Sequence, residues 1–439
     1  MRTLIKNAWI LTMDEQLTTY RNGMVLIEET RIAYVGEANA TLLERADEVI
    51  DARGGILMPG MINTHAHVSM IPFRSLGDDC PDRLRRYLFP LENECMTASL
   101  VYHAAQYGIL EMQQSGVTTF LDMYYFEEEV AKACEALGMR GVLGETVINF
   151  ATCDTTAPYG GLAYGENFIK EWQGHELVTP IIAPHATNTN EAWALQAAHE
   201  LAVKYDTLVT MHVAEMDYEM EEFRTNYQMT PIEYLDSIGV LSDRLIAAHC
   251  IHLNESDMKL MSEKQTRVAH CIGSNMKAGK GIAPVKEMVA SGLAVGLGTD
   301  GPSSGNTLDL FTQMKTAVYA QKTHYKDRSL FKAEEIVKLA TIGGAKVLRM
   351  EHEIGSLEVS KKADLVLIET DSLNMFPIHD PYSAIVYSAN ASNVDSVWIN
   401  GRQVLKNKQS IFNQKHVKES LAKEMQTFRQ RAIERAKEL

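Results

Sequence analysis

Between positions 56 and 298 of this 439-residue chain, eight apolar, β-type runs alternate with helical stretches, and no other feature of the sequence constrains the fold as tightly. The runs are Ile56 to Ile62, Val117 to Met123, Arg140 to Val147, Val178 to Ala183, Thr207 to Val213, Arg244 to Ala248, Thr266 to Ala269 and Ala294 to Gly298. Segments between them, such as Ser99 to Gln114, Glu127 to Leu137, Glu191 to Lys204 and Asn254 to Met261, carry apolar residues at three- and four-residue spacing, as one face of a helix requires. Strands separated by helices pair in parallel, because the helix returns the chain to the starting edge of the sheet. Eight such units point to an α/β fold, a (β/α)8 TIM-type barrel, which needs about 250 residues and leaves room here for a companion.

Both chain ends supply material for that companion. Leu4-Ile5, Ala8 to Leu11, Met24 to Ile27 and Ile32 to Val35 are short apolar runs broken by Asn, Asp and Gly, and the pattern returns in Ala363 to Ile368 and Val394 to Ile399. A small β domain formed by both ends is therefore expected. Residues 1–55 are its N-terminal part, residues 56–350 the barrel, and residues 351–439 its C-terminal part plus a terminal helix. That helix, Val417 to Leu439, has Leu421, Met425, Phe428 and Ile433 as spaced apolar anchors and reads as a surface helix.

Composition excludes several function classes. Hydrophobic residues at 46% and charged residues at 23% are those of an ordinary globular protein rather than a disordered or membrane-spanning one. A net charge of −15 repels phosphate backbones, so a small-molecule substrate is expected and nucleic acid and membrane are not, while a homo-oligomer is compatible. Six cysteines without CxxC spacing suit a reducing compartment, and Met1 to Ile10 lacks a leader's apolar core, so a cytoplasmic location is expected.

The chemistry begins where the first run ends, at Pro59-Gly60-Met61-Ile62-Asn63-Thr64-His65-Ala66-His67. Residues two apart on a strand point to one face, so both imidazoles can reach a single ion. With 14 histidines in the chain, such a pair alone also arises by chance. The other strand ends change the odds: His185 follows the fourth run, His212 lies on the fifth, His249 follows the sixth, His270 the seventh and Asp300 the eighth. The C-terminal mouth of a barrel gathers such residues around its axis. His65, His67, His212 and Asp300 are the expected ligands of one divalent metal, Zn²⁺ before Fe²⁺, which would bring a bound water's pKa towards about 7.

Taken together, His212-Val213-Ala214-Glu215, Ala247-Ala248-His249-Cys250, Ser274-Asn275-Met276-Lys277 and Gly298-Thr299-Asp300-Gly301, with the Pro59 to His67 run, resemble the mononuclear branch of the amidohydrolase superfamily. The resemblance spans nearly the whole chain and is closest to the branch's 5-methylthioadenosine/S-adenosylhomocysteine deaminases. It implies a hydrolase acting on C–N bonds of cyclic amidines: water adds to a ring carbon, Glu215 protonates the neighbouring nitrogen, and ammonia leaves. Asp300 would take the water's proton and His249 would stabilise the developing charge by a hydrogen bond. The substrate contacts it implies are His185 at the sugar and Glu92, within Phe89-Pro90-Leu91-Glu92, at the ribose hydroxyls, beside Glu215 and Asp300 themselves.

One position departs from the pattern. Where the homocysteine-type members use arginine for the amino-acid carboxylate, the matching residue here is Glu145, and Asn149 to Gly165 has no Arg or Lys. Glu145 is therefore expected among the substrate contacts, where it would oppose a carboxylate and favour 5′-methylthioadenosine or adenosine over S-adenosylhomocysteine. A hydrolase of another amino- or chloro-heterocycle, of guanine or triazine type, is the alternative, and a non-catalytic metal-binding protein is the alternative of another class. Lys277 reads as structural, His270 as a pocket-end residue without an assigned role, and His103, His175, His199, His324, His352, His379 and His416 as solvated or hydrogen-bonded.

Overall fold

The computed structural model describes residues 1–438; Leu439, the last residue of the expected terminal helix, lies outside them. Arg2–Leu11 (β1), Thr19–Glu28 (β2), Arg31–Glu37 (β3), Glu48–Asp51 (β4) and Ile56–Pro59 (β5) come first. A barrel follows in Met61–Ala66 (β6), Val117–Tyr124 (β7), Arg140–Val147 (β8), Val178–Pro184 (β9), Val209–Val213 (β10), Leu245–His249 (β11), Arg267–His270 (β12) and Ala294–Leu297 (β13). Leu365–Ile368 (β14), Val394–Ile399 (β15), Arg402–Lys406 (β16) and Gln409–Ser410 (β17) return to the small sheet.

From β6 to β13 each strand pairs in parallel with the next. Ile62, Leu121, Val142, Ile181, Ile246 and Ala269 fill the barrel interior, while Phe120, Leu143, Ile182, Ala247 and Val268 beside them pack in the larger core with the surrounding helices. The seam between β6 and β13 is closed by the chain just beyond β13: the Asp300 N–H donates to the His65 carbonyl at 3.0 Å. Gly298 allows this approach, since a Cβ there would sit 3.1 Å from both the backbone nitrogen and the Cβ of His65.

The small sheet runs β17-β16-β15-β14-β5-β1-β2-β3, with β4 on β1, so both chain ends contribute to it. One expectation needs correcting. The run Ile56 to Ile62 is not a single barrel strand: β5 pairs with β1 and β14 in the small sheet, and only from Met61 does the chain enter the barrel. At the switch, the Gly60 N–H donates to the Asp364 carbonyl at 2.9 Å. A continuous apolar run cannot reveal such a change of sheet, because both halves are buried on both faces.

The C-terminal end is two helices rather than one, Gln414–Glu424 and Gln426–Glu438. Val417, Leu421 and Phe428 are buried, the Phe428 ring packing 4.7 Å from that of Phe73, whereas Ile433 is exposed and is no anchor. Among the described residues, no helix is long and apolar enough to cross a membrane.

Candidate metal centre and active site

The C-terminal ends of the barrel strands surround a cavity of about 800 Å³, lined among others by His67, His185, His212, Glu215, His249 and Asp300. At its floor, His65 and His212 bring their Nε2 atoms to 3.2 Å, and His67 Nε2 lies 3.2 Å from Asp300 Oδ1. His65 belongs to two converging sets of donor atoms, one with His67 and Asp300, the other with His212 and His249. All five side chains are buried or nearly so.

The backbone aims these donors. His67 Nδ1 donates to the Met123 carbonyl and His212 Nδ1 to the His185 carbonyl, both at 2.5 Å, which leaves each Nε2 facing the centre. Such second contacts fix the ring and tautomer of a metal-binding imidazole. Ser274 Oγ donates to Asp300 Oδ2 at 2.6 Å, turning Oδ1 toward His67. His249 Nδ1 is held by Asn275 Oδ1 at 2.8 Å, and its Nε2 lies 3.5 Å from Glu215 Oε1 and 4.0 Å from Asp300 Oδ2.

Three strand ends adopt left-handed backbone conformations at residues other than glycine: Ala214 (φ 51°), His249 (φ 69°) and Asp300 (φ 58°). Each reverses the chain within one residue of a functional side chain, a strain the surroundings must hold. At Ala214 that role falls to Glu219, whose carboxylate accepts from the N–H groups of Ala214 at 3.0 Å and Glu215 at 2.9 Å. Glu219 is buried, so it is not part of a solvated acidic run.

Electrostatics suit a cation. Burial holds the His65 and His212 imidazoles well below their ordinary pKa, so their nitrogen lone pairs are free to ligate. Burial also works against charge on His67, but Asp300 beside it outweighs burial and lifts the imidazole to about 9. Burial would raise the Asp300 carboxyl, and the neighbouring His67 instead holds it well below the usual range. The centre thus concentrates an ionised carboxylate against imidazoles in a buried floor, the donor chemistry of a borderline divalent ion.

The amidohydrolase family model matches residues 56–404. A 5-methylthioadenosine/S-adenosylhomocysteine deaminase of Thermodesulfovibrio yellowstonii is 37% identical over 409 residues, 92% of this chain and 93% of its own. The chain belongs to the amidohydrolase family. A 5′-deoxyadenosine deaminase of Methanococcoides burtonii is 36% identical over 421 residues, covering 93% of this chain and 95% of its own. Among solved structures, an adenosine deaminase from Xanthomonas campestris with bound zinc superposes with a TM-score of 0.94 at 27% identity, covering 98% of each chain.

In this amidohydrolase most of the expected site residues come together. His185 follows β9, half-buried, with Nδ1 3.0 Å from Thr189 Oγ1. Glu92 lies on the helix Phe89–Cys95, buried, and accepts from the Tyr124 hydroxyl at 3.1 Å. Lys277 lines the mouth and bridges Asp78 at 2.8 Å and Asn306 at 3.1 Å, a structural tie between loops.

Glu145 is not brought to the cavity. On β8 it points with Leu143 and Val147 toward the outer helices, and its Oε2 accepts the Glu127 N–H at 3.2 Å at the start of the helix Glu127–Leu137. Burial, with Asp154 and Glu127 close by, pushes its carboxyl well above the ordinary range. The neighbouring Thr146 faces the cavity instead. Because this strand is buried on both faces, its sequence carries no alternation to tell inside from outside. His270 is fully buried behind the centre with both ring nitrogens unpartnered, and burial lowers it to about 3. The residue that reading by sequence missed is Lys280, whose ammonium meets Glu215 Oε1; a lone lysine in a loop carries no signal.

Proposed function

We propose that this amidohydrolase is a divalent-metal-dependent deaminase of adenine nucleosides, converting 5′-methylthioadenosine, adenosine and related 5′-variants to the inosine-type product and ammonia. The observation that carries the reading is the meeting of three groups at one point of the cavity floor: His249 Nε2 lies 3.5 Å from Glu215 and 4.0 Å from Asp300, directly beside the imidazole cluster. The kinship with adenosine-type deaminases over more than nine-tenths of the chain supports the same substrate class.

His65, His67, His212 and Asp300 would hold the ion, with Zn²⁺ the best match to three imidazoles and a carboxylate and Fe²⁺ the alternative. When bound, such an ion lowers the pKa of water towards about 7 and so makes a nucleophile available at neutral pH. Deamination forms a C6–O bond and breaks the C6–N6 bond, which requires a proton on N1 and another on the departing nitrogen. Glu215, ionised and half-facing the cavity, would take one proton from the attacking water and deliver it to N1. Asp300, its Oδ2 fixed by Ser274, takes the water's remaining proton and passes it to the leaving amine. His249, its Nδ1–H donating to Asn275 Oδ1, turns Nε2 toward the oxygen on which charge develops and donates to it when that nitrogen also carries a proton.

His185 and Glu92 would bind the sugar, a buried carboxylate accepting from both ribose hydroxyls. Since Glu145 faces away from the cavity, it gives no reason to exclude S-adenosylhomocysteine. Six free cysteines, four of them buried, suit a reducing cytoplasm.

Ammonia release by the zinc-loaded protein on 5′-methylthioadenosine, adenosine, S-adenosylhomocysteine, guanine and a chlorotriazine tests the reading. Turnover of the adenosines is expected, together with its loss in Glu215→Gln at unchanged metal content. Activity on guanine or triazine alone would sink it.

A further inference from the structure

Glu215 and Lys280 are 65 residues apart in sequence and meet through Oε1 and Nζ inside the cavity wall, each with less than a fifth of its side chain exposed. Lys280 sits in the loop that follows the helix Ile272–Lys277, flanked by Gly279 and by Gly281, whose φ of 120° is open only to glycine. Its backbone N–H donates to the Asn275 carbonyl at 2.9 Å, and the Asn275 side chain holds His249 Nδ1 at 2.8 Å. His249 Nε2 returns to Glu215 Oε1 at 3.5 Å. The four residues close a ring of contacts: Glu215 to Lys280, Lys280 to Asn275, Asn275 to His249, His249 to Glu215.

Within this ring both neighbours, the Lys280 ammonium and His249 Nε2, engage the same carboxylate oxygen, Oε1. A glutamate on a cavity wall has three rotatable bonds, and an unpartnered one would spread over several rotamers. A partly buried ammonium is little screened by salt and confines it. We propose that Lys280 is a positioning residue that pins Oε1 of Glu215, so that Oε2 alone is presented to the substrate ring nitrogen. This rests on the reading of Glu215 as the proton carrier. Lys280 acts through Glu215 and does not itself touch the reacting atoms.

The test compares Lys280→Met, nearly isosteric and neutral, with Lys280→Arg, which keeps the charge, using 5′-methylthioadenosine and zinc-loaded protein. In the Met variant kcat is expected to fall about tenfold or more with KM within about twofold of wild type, as for loss of orientation rather than of binding. The Arg variant recovers most of that loss, and zinc content is the same in all three. Unchanged kcat in Lys280→Met, or a rise in KM alone, overturns the proposal, the latter making Lys280 a binding residue. A second readout needs no turnover: melting temperatures of Glu215→Gln, Lys280→Met and the double variant are expected to be strongly non-additive, the double variant melting above the sum of the single losses. Additive losses refute the pairing. A wild-type protein inactive on every adenine nucleoside, with melting still non-additive, refutes the deaminase reading instead.

Discussion

Asn63 on the first barrel strand and Thr299 just beyond the last are joined by a reciprocal pair of hydrogen bonds: Asn63 Nδ2 donates to Thr299 Oγ1 at 2.7 Å, and Asn63 Oδ1 accepts the Thr299 N–H at 3.0 Å. Both residues are fully buried. They stand two positions before His65 and one before Asp300, so the tie that closes the barrel also sets the spacing between two expected ligands. Asn63→Ala leaves the Thr299 N–H buried without its partner, at a cost of about 1–3 kcal/mol. A lower melting temperature and reduced zinc retention on dialysis are both expected; unchanged values of both would show that the seam does not depend on this pair.

The barrel and the small sheet are locked by a buried ion pair. Arg140 on β8 donates through Nε to Asp364 Oδ2 at 3.0 Å and through Nη2 to Oδ1 at 3.2 Å, and Oδ1 also accepts the Asn400 N–H at 2.6 Å. Removing one partner strands the other in a buried interface. Asp364→Ala is therefore expected to destabilise by about 3–5 kcal/mol, and Arg140→Met with Asp364→Leu to recover much of it. Urea titration of the two variants measures this, and equal midpoints for Asp364→Ala and wild type would contradict it.

Burial pushes the Glu92 carboxyl up to about 7 from its ordinary 4.5, with the Tyr124 hydroxyl and charge on His67 pulling it partly back. Above that pH it is an acceptor for two hydroxyls; below it, one oxygen carries a proton. KM for ribonucleosides is expected to rise as pH falls through about 7, and Glu92→Gln to flatten the profile. The same shift makes the folded state hold this proton to higher pH than the unfolded chain. Its contribution to stability is thus greatest below about 4.5 and is lost as pH rises through about 7. A KM that is flat in wild type from pH 6 to pH 8 would remove Glu92 from the sugar site.

A metal held by His65, His67, His212 and Asp300, from three strand ends, would bind the folded chain and not the unfolded one. Its removal by a chelator should abolish ammonia release and lower the melting temperature, and zinc added at about a thousandfold excess over its dissociation constant should restore about 4 kcal/mol. His65→Ala should lose both responses, since His65 is shared by both donor sets. Turnover that survives full chelation would exclude the metal from the reaction.

Much of this protein is legible in one dimension because the relevant physics is local. A strand or a crossover helix announces itself by its period within a dozen residues, and His65, His67, His185, His212, His249 and Asp300 all stand at strand ends, where a parallel barrel must bring them to one mouth. Order of elements, barrel class and the cluster at the mouth follow from that. What sequence could not decide was anything set by register or by side-chain reach across the fold. A strand buried on both faces has no alternation, so Glu145 could be assigned to the wrong side, and Ile56 to Ile62 could pass for one strand although the sheet changes at Gly60. Closure of the seam by Asn63 and Thr299, 236 residues apart, and the hold of Lys280 on Glu215, 65 apart, arise only once the packed barrel brings distant loops within the length of a side chain.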